Sequence, residues 1–185
     1  MEAEKIFGDI NNFGIRFIPS PNTNHKGSDF ALLHLVLDGQ IIGNPEEECL
    51  VGTWISGLER LLDIIDSKFE VLSQAEFMNK SDNEIFELIY KSNQLEQEYD
   101  EKYKYLKVLD NEVWQYCNLT LDETIDAYLI TITGFNENVK IIWKGLSEPC
   151  PLSKIGLIQA VLVEKEKMKK VLSDCIFEVK NYYNY

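Results

Sequence analysis

The side chains best suited to acid–base chemistry at neutral pH are the two histidines, His25 and His34. His34 falls in the middle of a predicted strand, on the same face as Asp38, whereas His25 lies in a polar loop. An imidazole near a carboxylate could act as a general acid or base if both groups line a pocket. We therefore keep one alternative function, an enzymatic or small-molecule-binding domain with a pocket near His34 and Asp38.

No nucleophile, phosphate or metal motif accompanies these histidines. The sequence lacks the Gly-x-Ser-x-Gly turn, the glycine-rich nucleotide loops, the His-Glu-x-x-His pattern and the EF-hand loop. The four cysteines are far apart and include no Cys-x-x-Cys pair: Cys49, Cys117, Cys150 and Cys175. We expect reduced thiols, and we predict a protein that is not an enzyme and uses no cofactor and no metal.

Carboxylates are the abundant functional groups of this chain. Asp and Glu number 31 against 18 Lys and Arg, so the net charge is −13, and residues 38–110 alone hold 17 acids and 7 bases. Such a field repels nucleic acid and anionic membranes, and it speeds association with basic surfaces. We expect a protein partner with a basic surface, not nucleic acid or a membrane, although charge that serves only solubility stays an open alternative.

The predicted partner-binding residues all lie in this acidic segment. Three precede a predicted helix and three lie on its water-facing side: Glu46, Glu47, Glu48, Glu59, Asp63 and Asp66. Glutamates near a helix N-terminus also interact favourably with the helix dipole, which is a purely structural explanation for the first three. A weaker alternative is a DNA-mimicking inhibitor, but these acids show no regular, phosphate-like spacing.

Hydrophobic patterns predict the elements that position these residues. Strands are expected at 13–18, 30–37, 40–42, 113–119, 126–133 and 139–144, with Asp38-Gly39 as a hairpin turn. Helices are expected over 54–72, after Ser81 with Glu84 in the capping-box position, and from Ser153 onward. The charged segment 94–107 fits either a helix or a loop, and the tyrosines of residues 181–185 fit either a packed tail or an interface.

Strands that follow one another in hairpins, without alternating βαβ units, indicate an α+β fold. We predict an antiparallel β-sheet of about five to six strands, with helices packed mainly on one face and a long C-terminal helix. The length of 185 residues fits a single domain, 1–185, with a helical, charged insert at roughly 69–109. Neither a secretory signal nor an apolar run of membrane length occurs, so we expect a cytoplasmic protein.

Several short segments form a pattern along the chain: Ile6-Phe7-Gly8-Asp9, Phe13-Gly14-Ile15-Arg16-Phe17, Asp38-Gly39-Gln40-Ile41-Ile42-Gly43, a helix with Leu58, Leu61 and Leu62, and Ile141-Ile142-Trp143-Lys144 before a C-terminal helix. This pattern resembles bacterial polymorphic-toxin immunity proteins, most closely immunity protein family 42. The resemblance implies a protein that binds and neutralises a toxin domain in the bacterial cell that produces both, and it carries over no catalytic residue. A basic toxin, for example a nuclease, would suit the acidic surface.

Overall fold

The strands of the protein form two antiparallel sheets. The computed structural model describes residues 4–20, 29–93 and 101–185, and its elements lie in those ranges. The first sheet contains β1 (Lys5–Gly8), β2 (Phe13–Pro19), β3 (Phe30–Leu37) and β4 (Gln40–Ile42) in that order, and β5 (Cys49–Leu50) pairs with the first residues of β3. The second sheet contains β6 (Tyr128–Phe135), β7 (Asn138–Gly145) and β8 (Ile158–Glu164) in that order.

Helices pack on both sheets: α1 (Val51–Ser67), α2 (Phe69–Leu72), α3 (Asp82–Lys91), α4 (Asn111–Cys117) and α5 (Lys165–Tyr183). α1 and α5 pack on each other and on the first sheet, and α5 also contacts β7 and β8 of the second sheet, as α2, α3 and α4 contact that sheet. The α+β class, the antiparallel pairing and the long C-terminal helix are confirmed. The difference is that the described strands divide into sheets of five and three, where one sheet of five to six was expected.

The core of the first sheet is built on the ladder between β2 and β3. Directly opposite residues in an antiparallel pair lie on the same face of the sheet. The three apolar pairs on this face are Phe13 with Leu37, Ile15 with Leu35, and Phe17 with Leu33. All six side chains are buried in one cluster with the apolar stripes of α1 and α5.

The chain after Pro151 differs from its prediction. The sequence predicts a helix from Ser153, but a 3-10 turn at Leu152–Lys154 and the strand β8 come first, and α5 begins only at Lys165. All seven residues of β8 pair with β7. Apolar residues at 158, 161 and 162 satisfy helical spacing, but the ladder offered by β7 stabilises the strand, so tertiary pairing overrides the local pattern.

Residues 111–117 also differ, because they form α4 where alternation predicts a strand at 113–119. Asp110 caps this helix, and its carboxylate accepts a hydrogen bond from the Glu112 N–H at 3.0 Å. Val113 and Cys117 stand four residues apart and are both buried, as helical packing requires. The chain becomes extended only afterwards, where Asn118 forms a bridge to Thr131.

The helix predicted over 54–72 is interrupted at Lys68, which separates α1 from α2. Of the segment 94–107, residues 94–100 lie outside the described residues. Glu101–Tyr103 form a 3-10 turn, and residues 104–107 are not helical. The described part of this segment is therefore a loop.

The capping box predicted at Ser81 is present at the start of α3. The Glu84 carboxylate accepts hydrogen bonds from the Ser81 N–H at 2.9 Å and from the Tyr105 hydroxyl at 2.9 Å. These bonds favour the ionised carboxylate, and they lower the pKa of Glu84 from 4.5 to about 2, with the Ser81 N–H as the largest cause.

We expect this carboxylate to add a pH-dependent part to stability. Because the folded-state pKa lies below the ordinary 4.5, the contribution is present above about 4.5 and is lost as the pH falls towards 2. Glu84→Gln should make the free energy of unfolding fall less steeply over that range, measured by urea unfolding at several pH values. Glu70→Gln is the control, and equal slopes for the two variants would contradict the assignment.

Candidate protein-binding surface

The three predicted glutamates lie on an exposed loop between β4 and β5. Glu46, Glu47 and Glu48 are all exposed. Asn44 shapes the loop, because its side chain accepts a hydrogen bond from the Glu46 N–H at 3.1 Å and donates one to the Glu47 carboxylate at 3.3 Å. β5 separates these glutamates from α1, whose first turn contains no acid. The helix dipole therefore does not account for them, since its effect falls off within the first turn.

A second acidic segment, residues 122–126, lies against this loop. The Asn44 N–H donates to the Thr124 carbonyl at 3.2 Å, which joins the two segments. The Asp122 carboxylate accepts from the Thr124 N–H at 3.1 Å and caps a 3-10 turn, while Thr124 and Ile125 are buried beneath it. Together, residues 46–48 and 122–126 form what we call the acidic platform.

The acidic platform carries six carboxylates, three in each segment, and no basic residue. Within the described ranges, no Lys or Arg side chain forms an ion pair with any of the six. The sequence analysis did not select Asp122, Glu123 or Asp126. Their capping pattern is visible in the sequence, but only the fold brings them to residues 46–48.

The three predicted acids of α1 occupy a different environment. Glu59 forms an ion pair with Lys180 at 2.6 Å, and Asp66 forms one with Lys169 at 2.6 Å. The hydrogen bond and the charge of Lys169 hold the pKa of Asp66 below its usual value. Asp63 accepts a hydrogen bond from the Ser67 hydroxyl at 3.2 Å. Glu59 and Asp66 thus join α1 to α5, and their charges are locally compensated.

His34 lies under the acidic platform and not in a cleft. Its side chain is only 1% exposed, and Nε2 is 3.0 Å from the Asn44 carbonyl oxygen. Because a carbonyl can only accept, Nε2 carries the proton and donates it. Burial lowers the pKa of His34, and the charge of Arg16 lowers it further, against the opposing effect of this hydrogen bond. The imidazole is therefore neutral at pH 7 and supports the loop of Glu46–Glu48.

The alternative site at His34 and Asp38 gains no support from this arrangement. Asp38 is exposed in the β3–β4 turn at φ 49°, whereas His34 is enclosed. A cavity of about 510 Å³ lies elsewhere, between the β6–β7 hairpin and the segment 73–80. With only 1% of its side chain exposed, the imidazole is closed to a substrate.

The cysteines and the C-terminal tyrosines contribute to packing. All four cysteines are free and buried, and burial raises the pKa of Cys49, Cys117 and Cys175 to about 12, so these are thiols at neutral pH. Tyr183 donates its hydroxyl hydrogen bond to the Phe30 carbonyl at 2.9 Å. This part of the predicted tail is packed against the first sheet.

Two further features bear on the type of protein. In the described part of the chain, no three His, Cys, Asp or Glu side chains are grouped so that they could hold a metal ion. None of the helices in those ranges combines the length and the hydropathy needed to cross a bilayer.

An α+β fold that displays six carboxylates without an ion pair to any described Lys or Arg defines a protein suited to binding another protein. The family model described as Immunity protein 42 matches residues 6–178, so the chain belongs to this family. The resemblance seen in the sequence is confirmed, and the chain is an immunity protein, of the class that neutralises toxins.

A solved structure has a similar fold. The crystal structure of CdiI from Burkholderia dolosa AUO158 superposes with a TM-score of 0.63 at 14% sequence identity, covering 94% of this chain and 99% of that chain. No curated protein sequence matches the chain.

Gly43 allows the close approach on which the acidic platform depends. Its φ is +104°, and a Cβ atom there would lie 2.7 Å from the Thr124 carbonyl oxygen. Gly39 is a matched control, because its φ is +73° but a Cβ would have open space. We expect Gly39→Ala to cost roughly 1–2 kcal/mol from backbone strain, and Gly43→Ala to cost at least about 1 kcal/mol more from the clash.

Urea unfolding of both variants measures this difference. Equal losses of unfolding free energy for Gly43→Ala and Gly39→Ala would show that the contact between Gly43 and Thr124 is unnecessary.

Proposed function

We propose that this immunity protein binds a cognate toxin domain, in the cytoplasm of the cell that makes both, through the acidic platform. The observation that carries the proposal is a set of six exposed or half-exposed carboxylates on two joined loops, none of them ion-paired with a Lys or Arg in the described ranges. Placing like charges together has an unfavourable self-energy. A basic partner surface would remove that repulsion on binding.

The charge of the platform suits the kinetic demand on an inhibitor. A toxin must be captured before it acts, and complementary charge raises association rates from about 10⁵–10⁶ M⁻¹s⁻¹ to as much as about 10⁸–10⁹ M⁻¹s⁻¹ at low salt. The partner that fits is a toxin domain with a basic face, for example a nuclease, whose substrate is itself an anion. Neither nucleic acid nor an anionic membrane suits a surface of this sign.

The acids of α1 form the outer part of the proposed surface. Asp63 is exposed and has no lysine partner among the described residues, so it adds to the negative field. Glu59 and Asp66 also face solvent, but their ion pairs with α5 reduce their contribution. We assign the larger part of the steering to Glu46, Glu47 and Glu48.

Inhibition by this protein is stoichiometric binding and not catalysis. Of the described residues weighed for chemistry, His34 is buried and neutral, and the four cysteines are free and buried. Each molecule therefore neutralises the toxin that it holds for as long as the complex persists.

The proposal predicts protection in the cell. Co-expression with the C-terminal domain of the large protein encoded next to this chain should relieve killing by that domain, and the two should copurify. Colony counts with and without the immunity protein, followed by size-exclusion chromatography, measure both effects. Killing that is not relieved would contradict the proposed function.

The role of the platform predicts a change in kinetics. Glu46→Lys, Glu47→Lys and Glu48→Lys together should lower the association rate about tenfold or more at low salt, and should flatten its dependence on salt concentration. Stopped-flow association at several salt concentrations measures both.

A matched variant separates location from total charge. Glu70→Lys, Glu76→Lys and Glu137→Lys make the same change in net charge near the β6–β7 hairpin, at the opposite end of the second sheet. The control should retain most of the association rate. If both triple variants slow association equally, the net charge acts and the platform assignment is wrong.

A further inference from the structure

The loop between β7 and β8 exposes three leucines. Leu146, Leu152 and Leu157 are 45%, 77% and 55% exposed, and we call residues 146–157 the leucine loop. The ends of the loop meet, because the Gly156 N–H donates to the Gly145 carbonyl at 2.8 Å. Compact surface loops of this kind, with closed ends, frequently carry function.

The leucine loop is held firmly from beneath. Cys150 is buried, and it packs so closely that a Cβ on Gly145 would lie 2.2 Å from its sulfur. The Lys154 ammonium donates to the Gln40 side-chain oxygen at 2.9 Å, and Gln40 donates in turn to the Tyr128 hydroxyl at 3.2 Å. The exposed leucines therefore belong to an ordered loop, and their exposure does not come from loss of structure.

The leucine loop borders the acidic platform. The Leu146 N–H donates to the carbonyl of Ala127 at 2.8 Å, and Ala127 follows Asp126 directly in the chain. Asn44 then connects the segment of Asp126 to the loop of Glu46–Glu48. Apolar side chains next to a charged border are the usual anatomy of a protein interface.

We infer that the leucine loop is the apolar anchor of the toxin-binding surface, and that it takes a toxin patch with an apolar centre bordered by Lys or Arg. This inference rests on the proposed function and adds to it a second, chemically different contact. Several exposed leucines on one closed loop, unlike a single scattered one, point to an interaction site.

The negative charge beside the leucine loop determines which partner can bind there. A second copy of this chain would bring another six carboxylates and a net charge of −13 against the same border. Like charges placed together across an interface oppose association, whereas a basic border on the toxin favours it. The surface therefore fits a basic toxin and not a homodimer.

The two parts of the surface should affect different rate constants. Long-range charge on the acidic platform acts mainly on association, whereas burial of apolar anchors acts mainly on dissociation. Loss of the leucines should therefore shorten the lifetime of the complex and leave the salt dependence of association unchanged.

The test measures binding of the full chain to the C-terminal domain of the large protein encoded next to it, by surface plasmon resonance. Leu146→Ser, Leu152→Ser and Leu157→Ser together should raise Kd at least about tenfold, mostly through faster dissociation. Leu152→Ser alone, at the most exposed position, should raise it severalfold and cannot disturb the core. The matched control is Met78→Ser with Phe135→Ser, which are 58% and 43% exposed at the far end of the second sheet. This control should bind within about twofold of wild type.

Each failure has a distinct meaning. Wild-type dissociation rates in the triple leucine variant, with unchanged thermal unfolding, would overturn the inference and leave the platform proposal intact. If analytical ultracentrifugation shows a dimer of the wild-type chain, and the triple variant is monomeric, the loop binds a second copy of the chain. That result would overturn the toxin assignment. If the wild-type chain does not bind this domain, the proposed function and the inference fail together.

Discussion

The apolar ladder between β2 and β3 is the constraint on which the rest of the structure depends. Three cross-strand pairs, from Phe13–Leu37 to Phe17–Leu33, present one continuous apolar face that water must leave. α1 and α5 cover that face, so the polar side of α1 must turn outward. The position of Glu59 and Asp66 beside the lysines of α5 follows from this burial and not from the charges themselves, since exposed ion pairs contribute little to stability.

The carboxylates of the protein lie in two different electrostatic environments. Along α1 and α5, carboxylates and ammonium groups alternate across the helix pair and largely cancel at short range. On the acidic platform, backbone hydrogen bonds and the buried His34 hold the carboxylates in place, and none of the six forms an ion pair with a described Lys or Arg. Like charges placed together repel one another and lower the stability of the folded state. In the complex proposed above, the same field would speed the capture of a basic toxin. The leucine loop at its border would add an apolar contact, which salt does not screen as it screens charge.

Local signals predicted much of the fold, and long-range pairing determined what they missed. The turn at Asp38-Gly39, with both residues at positive φ, and the capping box at Ser81 depend on neighbours within four residues, so the sequence predicted them correctly. β8 was missed because its apolar spacing also fits a helix, and only β7 decides between the two. Of the platform, Glu46–Glu48 could be selected as a run of charge. Asp122, Glu123 and Asp126 could not be selected, because only a contact between segments about 80 residues apart brings them close to Glu46–Glu48. Local sequence patterns do not detect contacts at that separation.

The position of α5 in the chain has a consequence for when the protein can begin to protect. The ion pair between Lys5 and Glu178 joins β1 to α5 across 173 residues. Ribosomes add about 5–20 residues per second. At that rate the first strands wait roughly 10–35 s for synthesis of the helix that covers them. During that interval the nascent chain has an open apolar face and no finished fold. Burial of the apolar face of the first sheet, and with it the finished binding surface, therefore comes only after translation has passed α5.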